Sequence, residues 1–287
     1  MIADGLAPGD IVEARDRLAD AGCRPGEEAW IDAGAACDIA IEDRPADARA
    51  AIEAMAGAVD VVVQPADGRE KRLLVSDMDS TMITVECIDE LADYAGLRAE
   101  VSDVTERAMR GELDFEAALD ARVALLAGMP VDTLEACRAE RVVLMPGAET
   151  LVRTLRARGG FAVLVSGGFT HFAEPVAAAI GFDRSVSNVL GIGDGRLDGT
   201  VTRPVVGAEA KREALIAAMR ERGLSRSETL AVGDGANDIP MLREAGLGVA
   251  YRAKPAAAAA ADAHIVHGDL TALLYAQGIA RRDWIRA

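Results

Sequence analysis

The rhythm of apolar and polar positions changes twice along the chain. Residues 10–22 carry apolar positions at helical spacing, and residues 29–42 hold a strand ending in DIAIE. Residues 45–56 are helical again behind Pro45, a good first-turn residue, and AVDVVVQ at 58–64 is β-rich. PADGREKR is polar and contains Asp67-Gly68, a turn signal, so a boundary is expected near residue 70. RLLVSD at 72–77 is an apolar run that stops at an acid, and residues 86–139 then read almost wholly as helix, with Gly96 and Gly128 as stops. From residue 148 helix and strand alternate. ETLVRTLRARG, FAEPVAAAIG, AKREALIAAMRERG and NDIPMLREAG read as helices, and FAVLV and TLAV as buried strands. LGVAY and HIVH are shorter apolar runs, and SNVLGIGDGRLDGTV is a hairpin turning at Asp194-Gly195.

This alternation implies an α/β chain with a parallel sheet covered on both faces. In such sheets ligands bind beyond the carboxyl ends of the strands. Three of the predicted strands end in residues capable of chemistry. LLVS leads into Asp77-Met78-Asp79-Ser80-Thr81, FAVLV into Ser166-Gly167-Gly168, and TLAV into Gly233-Asp234-Gly235-Ala236-Asn237-Asp238. A helix carrying Lys211 lies between the second and the third. Taken singly, each cluster is more often a turn or a cap; their joint occurrence after buried strands is what points to a site.

Composition narrows the choice. The chain has 287 residues, 51% of them hydrophobic but only 3% aromatic, so a large aliphatic core is expected. Forty-seven acidic residues against 31 basic ones give a net charge of −16, which argues against a nucleic-acid partner. Cys23, Cys37, Cys87 and Cys137 have neither zinc-site nor disulfide-framework spacing, so reduced thiols in a cytoplasmic protein are expected. The first residues lack the pattern of a signal peptide, and no apolar stretch is long enough to span a membrane.

The strand-end residues suit phosphoryl transfer. A phosphate monoester is a dianion, so an anionic nucleophile needs a divalent cation, fixed donors for the phosphate oxygens and an acid for the leaving group. Asp77 and Asp234 are suitable magnesium ligands, and Ser166, Lys211 and glycine-freed amides can hold phosphate oxygens. Lysine is scarce here: Lys71, Lys211 and Lys254 are the only three against 28 arginines. A lysine kept beside the motifs suits a compact point charge next to phosphate.

DMDST, SGG, Lys211 and GDGANDIPML together resemble the signature of the haloacid dehalogenase-like superfamily of phosphatases, over about residues 71–285. More narrowly, DMDSTMITVECIDELADYAG, RAMRGELDFEAALDARVALLAG and VSGGFTHF resemble the phosphoserine phosphatase family. The resemblance implies a Rossmann-like core (71–85 and 140–287) with a helical cap (86–139) inserted after the first core strand, and a small second insertion at 188–202. It implies that Asp77 attacks phosphorus and that Asp79 serves as general acid, then base. It implies Mg2+ held by Asp77, the carbonyl of Asp79 and Asp234, with Asp238 orienting a metal-bound water. Ser166, Gly167, Lys211 and Asn237 would hold the phosphate, Glu86 the substrate ammonium and Arg122 its carboxylate, while Met109 and Phe115 close the cap over the site. Asp120 departs from the pattern, since related sequences often carry a basic residue there.

The function this implies is hydrolysis of O-phospho-L-serine, the last step of serine biosynthesis, through an aspartyl phosphate. The alternative is a phosphatase or phosphotransferase for another small phosphomonoester, with homoserine as one acceptor. A phosphoserine sensor without turnover is disfavoured by the acid beside the nucleophile. Residues 1–70 match an ACT-like regulatory module only weakly; a small α+β unit that promotes homodimer formation is expected there.

Overall fold

The computed structural model describes residues 1–53, 55, 57–110 and 112–286; the side chain of Met109 lies outside the described residues. The chain opens with helix α1 (Pro8–Asp20), strands β1 (Pro25–Asp32) and β2 (Ala36–Ile41), and helix α2 (Pro45–Glu53). Strand β3 (Leu73–Ser76) follows, then four helices: α3 (Cys87–Tyr94), α4 (Arg98–Met109), α5 (Phe115–Leu125) and α6 (Val131–Arg141). Next come α7 (Ala148–Ala157), β4 (Phe161–Phe169), α8 (Thr170–Ile180), β5 (Arg184–Asn188), β6 (Leu190–Gly193) and β7 (Arg196–Val201). The chain finishes through α9 (Ala208–Arg222), β8 (Thr229–Gly233), α10 (Ile239–Glu244), β9 (Leu247–Tyr251), α11 (Pro255–Ala260), β10 (Ala263–Ile265) and α12 (Ala272–Ala276).

Six strands form one sheet in the order β10-β9-β8-β3-β4-β5, and every pair in it is parallel. The α/β expectation therefore holds. Alternation along β3 explains its position. Leu73 and Val75 join one apolar cluster, with Leu215 of α9 and Met241 and Leu242 of α10. Leu74 faces the other, with Leu151 and Val152 of α7 and Phe172 of α8. A strand buried on both faces must be apolar throughout, as LLVS is up to its last residue. The chain leaves β3 for β4 on one side and reaches β8 on the other. The carboxyl end of β3 is thus the point where the strand order reverses, the usual place for a ligand.

Helices α3, α5 and α6 share the second cluster through Leu91, Leu119, Val123, Leu134 and Cys137, with Leu126 just past α5, so they pack onto the core. The β6–β7 hairpin turns at Asp194-Gly195, both with positive φ (51° and 71°), as a two-residue primed turn requires. It lies against the same helices: Gly128 N–H donates to Leu197 O at 2.8 Å and Val131 N–H to Gly195 O at 3.0 Å. Among the described residues no helix is long and apolar enough to cross a membrane. All four cysteines are buried and free.

The amino-terminal reading needs correction. The stretch 29–42 is not one strand but most of an antiparallel hairpin, β1 with β2, because Ala33-Gly34 supplies a turn, with Gly34 at φ 78°. AVDVVVQ forms no named strand; Asp60 bridges Ile2, and Val61 bridges His264 of β10. Asp60 is instead a buried anchor: its carboxylate accepts the N–H groups of Val266, His267 and Gly268 at 2.7, 3.1 and 2.7 Å. Strand β5 lies outside the sequence reading too, since RSVSN is a polar edge strand without an apolar signal.

Candidate active site

The centre is built on three neighbouring strand ends. Asp77 follows β3, and its N–H donates to Val232 O of β8 at 3.0 Å, which locks the two strand ends together. Its Oδ1 accepts the Met78 N–H at 2.7 Å and lies 2.7 Å from Lys211 Nζ. Lys211 reaches in from the first turn of α9 and donates to Asp238 Oδ1, also at 2.7 Å. Asp238 Oδ2 in turn accepts the Gly235 N–H at 2.9 Å, so the loop after β8 is tied to the same lysine. Lys211 and Asp238 are fully buried, and Asp77 and Asp234 nearly so.

Charge is unbalanced in this small volume. Burial would depress the Lys211 ammonium, but Asp77 and Asp238 outweigh it and hold it above the ordinary lysine value. Burial, followed by the neighbouring Asp238, pushes Asp77 well above the usual carboxylate range. Burial also raises Asp234 to about 6, against the opposing pull of Lys254. Carboxylate oxygens of Asp77, Asp234 and Asp238 lie within 4.8 Å of one another. One buried lysine therefore faces three carboxylates. The nearest cation to Asp234 is Lys254 Nζ at 3.7 Å, beyond hydrogen-bond length. An oxygen-only set with surplus negative charge suits a hard divalent ion, so these residues fit a metal.

Asp79 is held by a separate set of contacts. Its Oδ1 accepts the Cys87 N–H at 3.0 Å, and its Oδ2 lies 3.4 Å from Ser166 Oγ. Burial and then the charge of Glu86 raise it to about 6, so its carboxyl is poised to hold or release a proton near neutrality. Ser166 ends the buried part of β4, and its Oγ accepts the Gly168 N–H at 2.9 Å. A side chain at Gly168 would crowd the site: a β-carbon there would sit 3.0 Å from Asp79 Oδ2, which would have to give way. Burial and the adjoining Asp79 push the Cys87 thiol far up, so Cys87 stays a protonated core residue.

The remaining expected residues ring this centre. Glu86 precedes α3, and its Oε1 accepts from Ser80 Oγ at 3.0 Å. Ser80 holds a left-handed φ of 54°, which bends the chain after Asp79. Arg122 is half-buried on α5, and its Nε donates to Ala118 O at 3.2 Å. Burial lowers its guanidinium from the ordinary value against the pull of Asp89 and Glu86. No carboxylate of the described residues forms an ion pair with it. Phe115 opens α5, and its ring reaches the SGG turn, since a β-carbon on Gly167 would lie 3.5 Å from Phe115 Cζ. Asn237 folds over Gly235 and is half-buried. Met109 ends α4, and its side chain lies outside the described residues. Asp120, the departure noted above, pairs with Arg203.

Two residues were missed. Lys254 Nζ lies between Asp234 Oδ2 and Glu86 Oε1, at 3.7 and 3.9 Å. The scarcity of lysine that singled out Lys211 applied to it equally. Asn188, at the end of β5, donates through Nδ2 to Gly167 O at 2.8 Å and accepts the Val206 N–H at 2.7 Å, fixing the SGG turn. Nothing local in RSVSN signals that role.

Residues 74–243 match the model of the haloacid dehalogenase-like hydrolases, and the chain belongs to that family. Within it, the chain is 45% identical over 245 residues to phosphoserine phosphatase of Streptomyces coelicolor, covering 85% of this chain and 60% of that protein. The chain spans roughly half to two thirds of the length of several of the curated relatives it matches, that one among them. Among solved structures, a substrate-bound phosphoserine phosphatase complex superposes with a TM-score of 0.67 at 38% identity, over 72% of this chain and 98% of that one. A hydrolase of the same family from Salmonella enterica serovar Typhi gives a TM-score of 0.84 at 27% identity, over 96% of both chains.

Proposed function

We propose that the protein hydrolyses O-phospho-L-serine to serine and phosphate. The observation that carries this reading is the half-buried Arg122, without a carboxylate partner among the described residues, within the electrostatic reach of Glu86, which in turn acts on Asp79 and Asp234. Phosphoserine brings a carboxylate for the arginine, an ammonium for the glutamate and a phosphate for the centre. An arginine can grip a carboxylate with two parallel hydrogen bonds.

The Asp77 oxygen not held by Lys211 attacks phosphorus. The bond from phosphorus to the serine oxygen breaks, and protonated Asp79 gives that oxygen its proton. Asp79, now a carboxylate, takes a proton from water, whose oxygen attacks the aspartyl phosphate and releases phosphate from Asp77. One carboxyl serves both steps because its pKa of about 6 lies near neutrality. Ser166, the Gly167 turn, Asn237 and Lys211 hold the phosphate oxygens. Asp77, Asp234 and the Asp79 carbonyl would hold Mg2+, with Asp238 close by; when bound, this ion would offset the charge that gathers on phosphate. Phe115 and Met109 cover the substrate and exclude water. The corresponding division is 1–70, a core of 71–85 with 140–287, and a cap of 86–139, the first unit promoting a homodimer.

Truncating Arg122 tests the substrate. Arg122→Ala is expected to raise KM for phosphoserine about 10- to 100-fold, the loss of about 1.5–3 kcal/mol typical of a charge-assisted hydrogen bond. KM for an aryl phosphate such as p-nitrophenyl phosphate should change by less than threefold. Equal rises on both substrates would remove Arg122 from carboxylate recognition and with it the case for phosphoserine.

A further inference from the structure

Two lysines reach the site, and they are held in opposite ways. Lys211 is wholly buried and lies 2.7 Å from both Asp77 and Asp238. Lys254, between β9 and α11, has a fixed main chain and a loose side chain. Its N–H donates to Asp234 O at 2.9 Å, and its C=O accepts the Ala258 N–H at 3.0 Å at the start of α11. The side chain is 67% exposed, and Nζ stands 3.7 Å from Asp234 Oδ2 and 3.9 Å from Glu86 Oε1. Both distances exceed hydrogen-bond length, so the ammonium compensates two carboxylates without being bound to either. Among the described residues no other cation forms an ion pair with Glu86 or Asp234.

The two carboxylates differ in what else they can meet. Asp234 belongs to the oxygen set that fits a divalent ion. Glu86 lies outside that set, and its Oε1 accepts from Ser80 Oγ at 3.0 Å. The charge of Glu86 is felt at both Asp79 and Asp234. Without a cation beside it, Glu86 therefore opposes any dianion brought to this centre. A substrate with its own ammonium supplies that cation, and a substrate without one does not. An exposed pair at this separation is weak, so Lys254 gives way to another cation at little cost.

We propose that Lys254 is a displaceable counter-cation that sets how strictly the site demands an ammonium on its substrate. It yields Asp234 to a divalent ion and Glu86 to an incoming ammonium, and it stays on Glu86 when the substrate brings no ammonium. Lys254 is a positioning residue, since it acts through Glu86 and Asp234 and not on the reacting atoms. The ammonium half of this proposal rests on the phosphoserine reading, and the metal half rests on the carboxylate geometry alone.

The test compares the full chain with Lys254→Met, a change at an exposed position that leaves the fold intact. With Mg2+ saturating, KM for phosphoserine is expected to fall about two- to fivefold, the scale of one exposed ion pair, because the competitor for Glu86 is gone. KM for 3-(phosphonooxy)propanoate, which is phosphoserine without its ammonium, should rise by a similar factor. Lys254→Arg, which keeps the charge, should lie closer to the parent on both substrates. In a Glu86→Gln background the opposed shifts should vanish, because the coupling runs through that carboxylate. Calorimetric titration with Mg2+ alone should show Lys254→Met binding the ion about threefold tighter or more, as removal of a nearby positive charge requires. That gap should narrow in about 0.5 M NaCl, since exposed charges are screened. KM values that move together or stay put, opposed shifts that persist without the Glu86 charge, or a Mg2+ affinity that is unchanged or weaker would overturn the proposal. A parent chain that leaves phosphoserine intact would instead fault the substrate reading, and the Mg2+ titration then decides the proposal by itself.

Discussion

Asp77→Asn is expected to lower phosphate release from phosphoserine on the order of 10⁴-fold or more, the scale on which loss of a catalytic nucleophile acts. The substitution is nearly isosteric. The amide side chain retains an oxygen for Lys211 and the Met78 N–H, which both engage Asp77 Oδ1 at 2.7 Å in the parent. The Asp77 N–H bond to Val232 O is unaffected, because it is made by the main chain. The circular dichroism spectrum and the unfolding transition should therefore stay close to the parent's while turnover disappears. Rapid-quench labelling with ³²P-phosphoserine reads the same claim another way: the parent should carry acid-stable, hydroxylamine-sensitive label and the variant none. Turnover at the parent rate by Asp77→Asn would remove Asp77 as nucleophile.

Lys211→Met is expected to cost both stability and activity, by a different route. Lys211 is wholly buried and balances Asp77 and Asp238 at 2.7 Å each. Removing one partner of such a buried set leaves charges unpaired in a poor solvent, at a cost of about 3–5 kcal/mol. A large fall in Tm should result, read by calorimetry, together with loss of phosphate release. Millimolar Mg2+ should recover part of the lost Tm, since the vacated carboxylates belong to the set that fits a divalent cation. A variant as stable as the parent would show that the lysine does not offset the carboxylates.

Much of this arrangement was legible because its signals are local. A strand buried on both faces is apolar until the residue that leaves the sheet, so LLVS-Asp77 and TLAVG-Asp234 each mark a strand end, while FAVLV-Ser166 marks where the regular pairing of β4 stops and the strand runs on irregularly to Phe169. Glycine punctuates two of these ends for steric reasons: a β-carbon on Gly168 would crowd Asp79, and one on Gly233 would lie 2.4 Å from Asp238 Cγ. What the sequence withheld depends on distant partners. Strand β5 pairs at an edge and needs no apolar pattern, so Asn188 carried no signal although it fixes the Gly167 turn. Lys254 meets Glu86 and Asp234 across long sequence separations, where spacing rules have no reach. The AVDVVVQ run misled in the reverse direction. Its β propensity is real, but among the described residues it makes isolated bridges alone, Asp60 to Ile2 and Val61 to His264, and these depend on distant partners.

The most direct test of the account is phosphate release from O-phospho-L-serine by the full chain, measured with Mg2+ and again with excess EDTA. The account predicts release with Mg2+ that exceeds release from phosphothreonine and sugar phosphates, a fall to background with EDTA, and recovery when Mg2+ is restored. Release unaffected by EDTA would contradict the metal role given to Asp77 and Asp234. Phosphoserine left intact while another phosphomonoester is cleaved would contradict the roles given to Glu86 and Arg122.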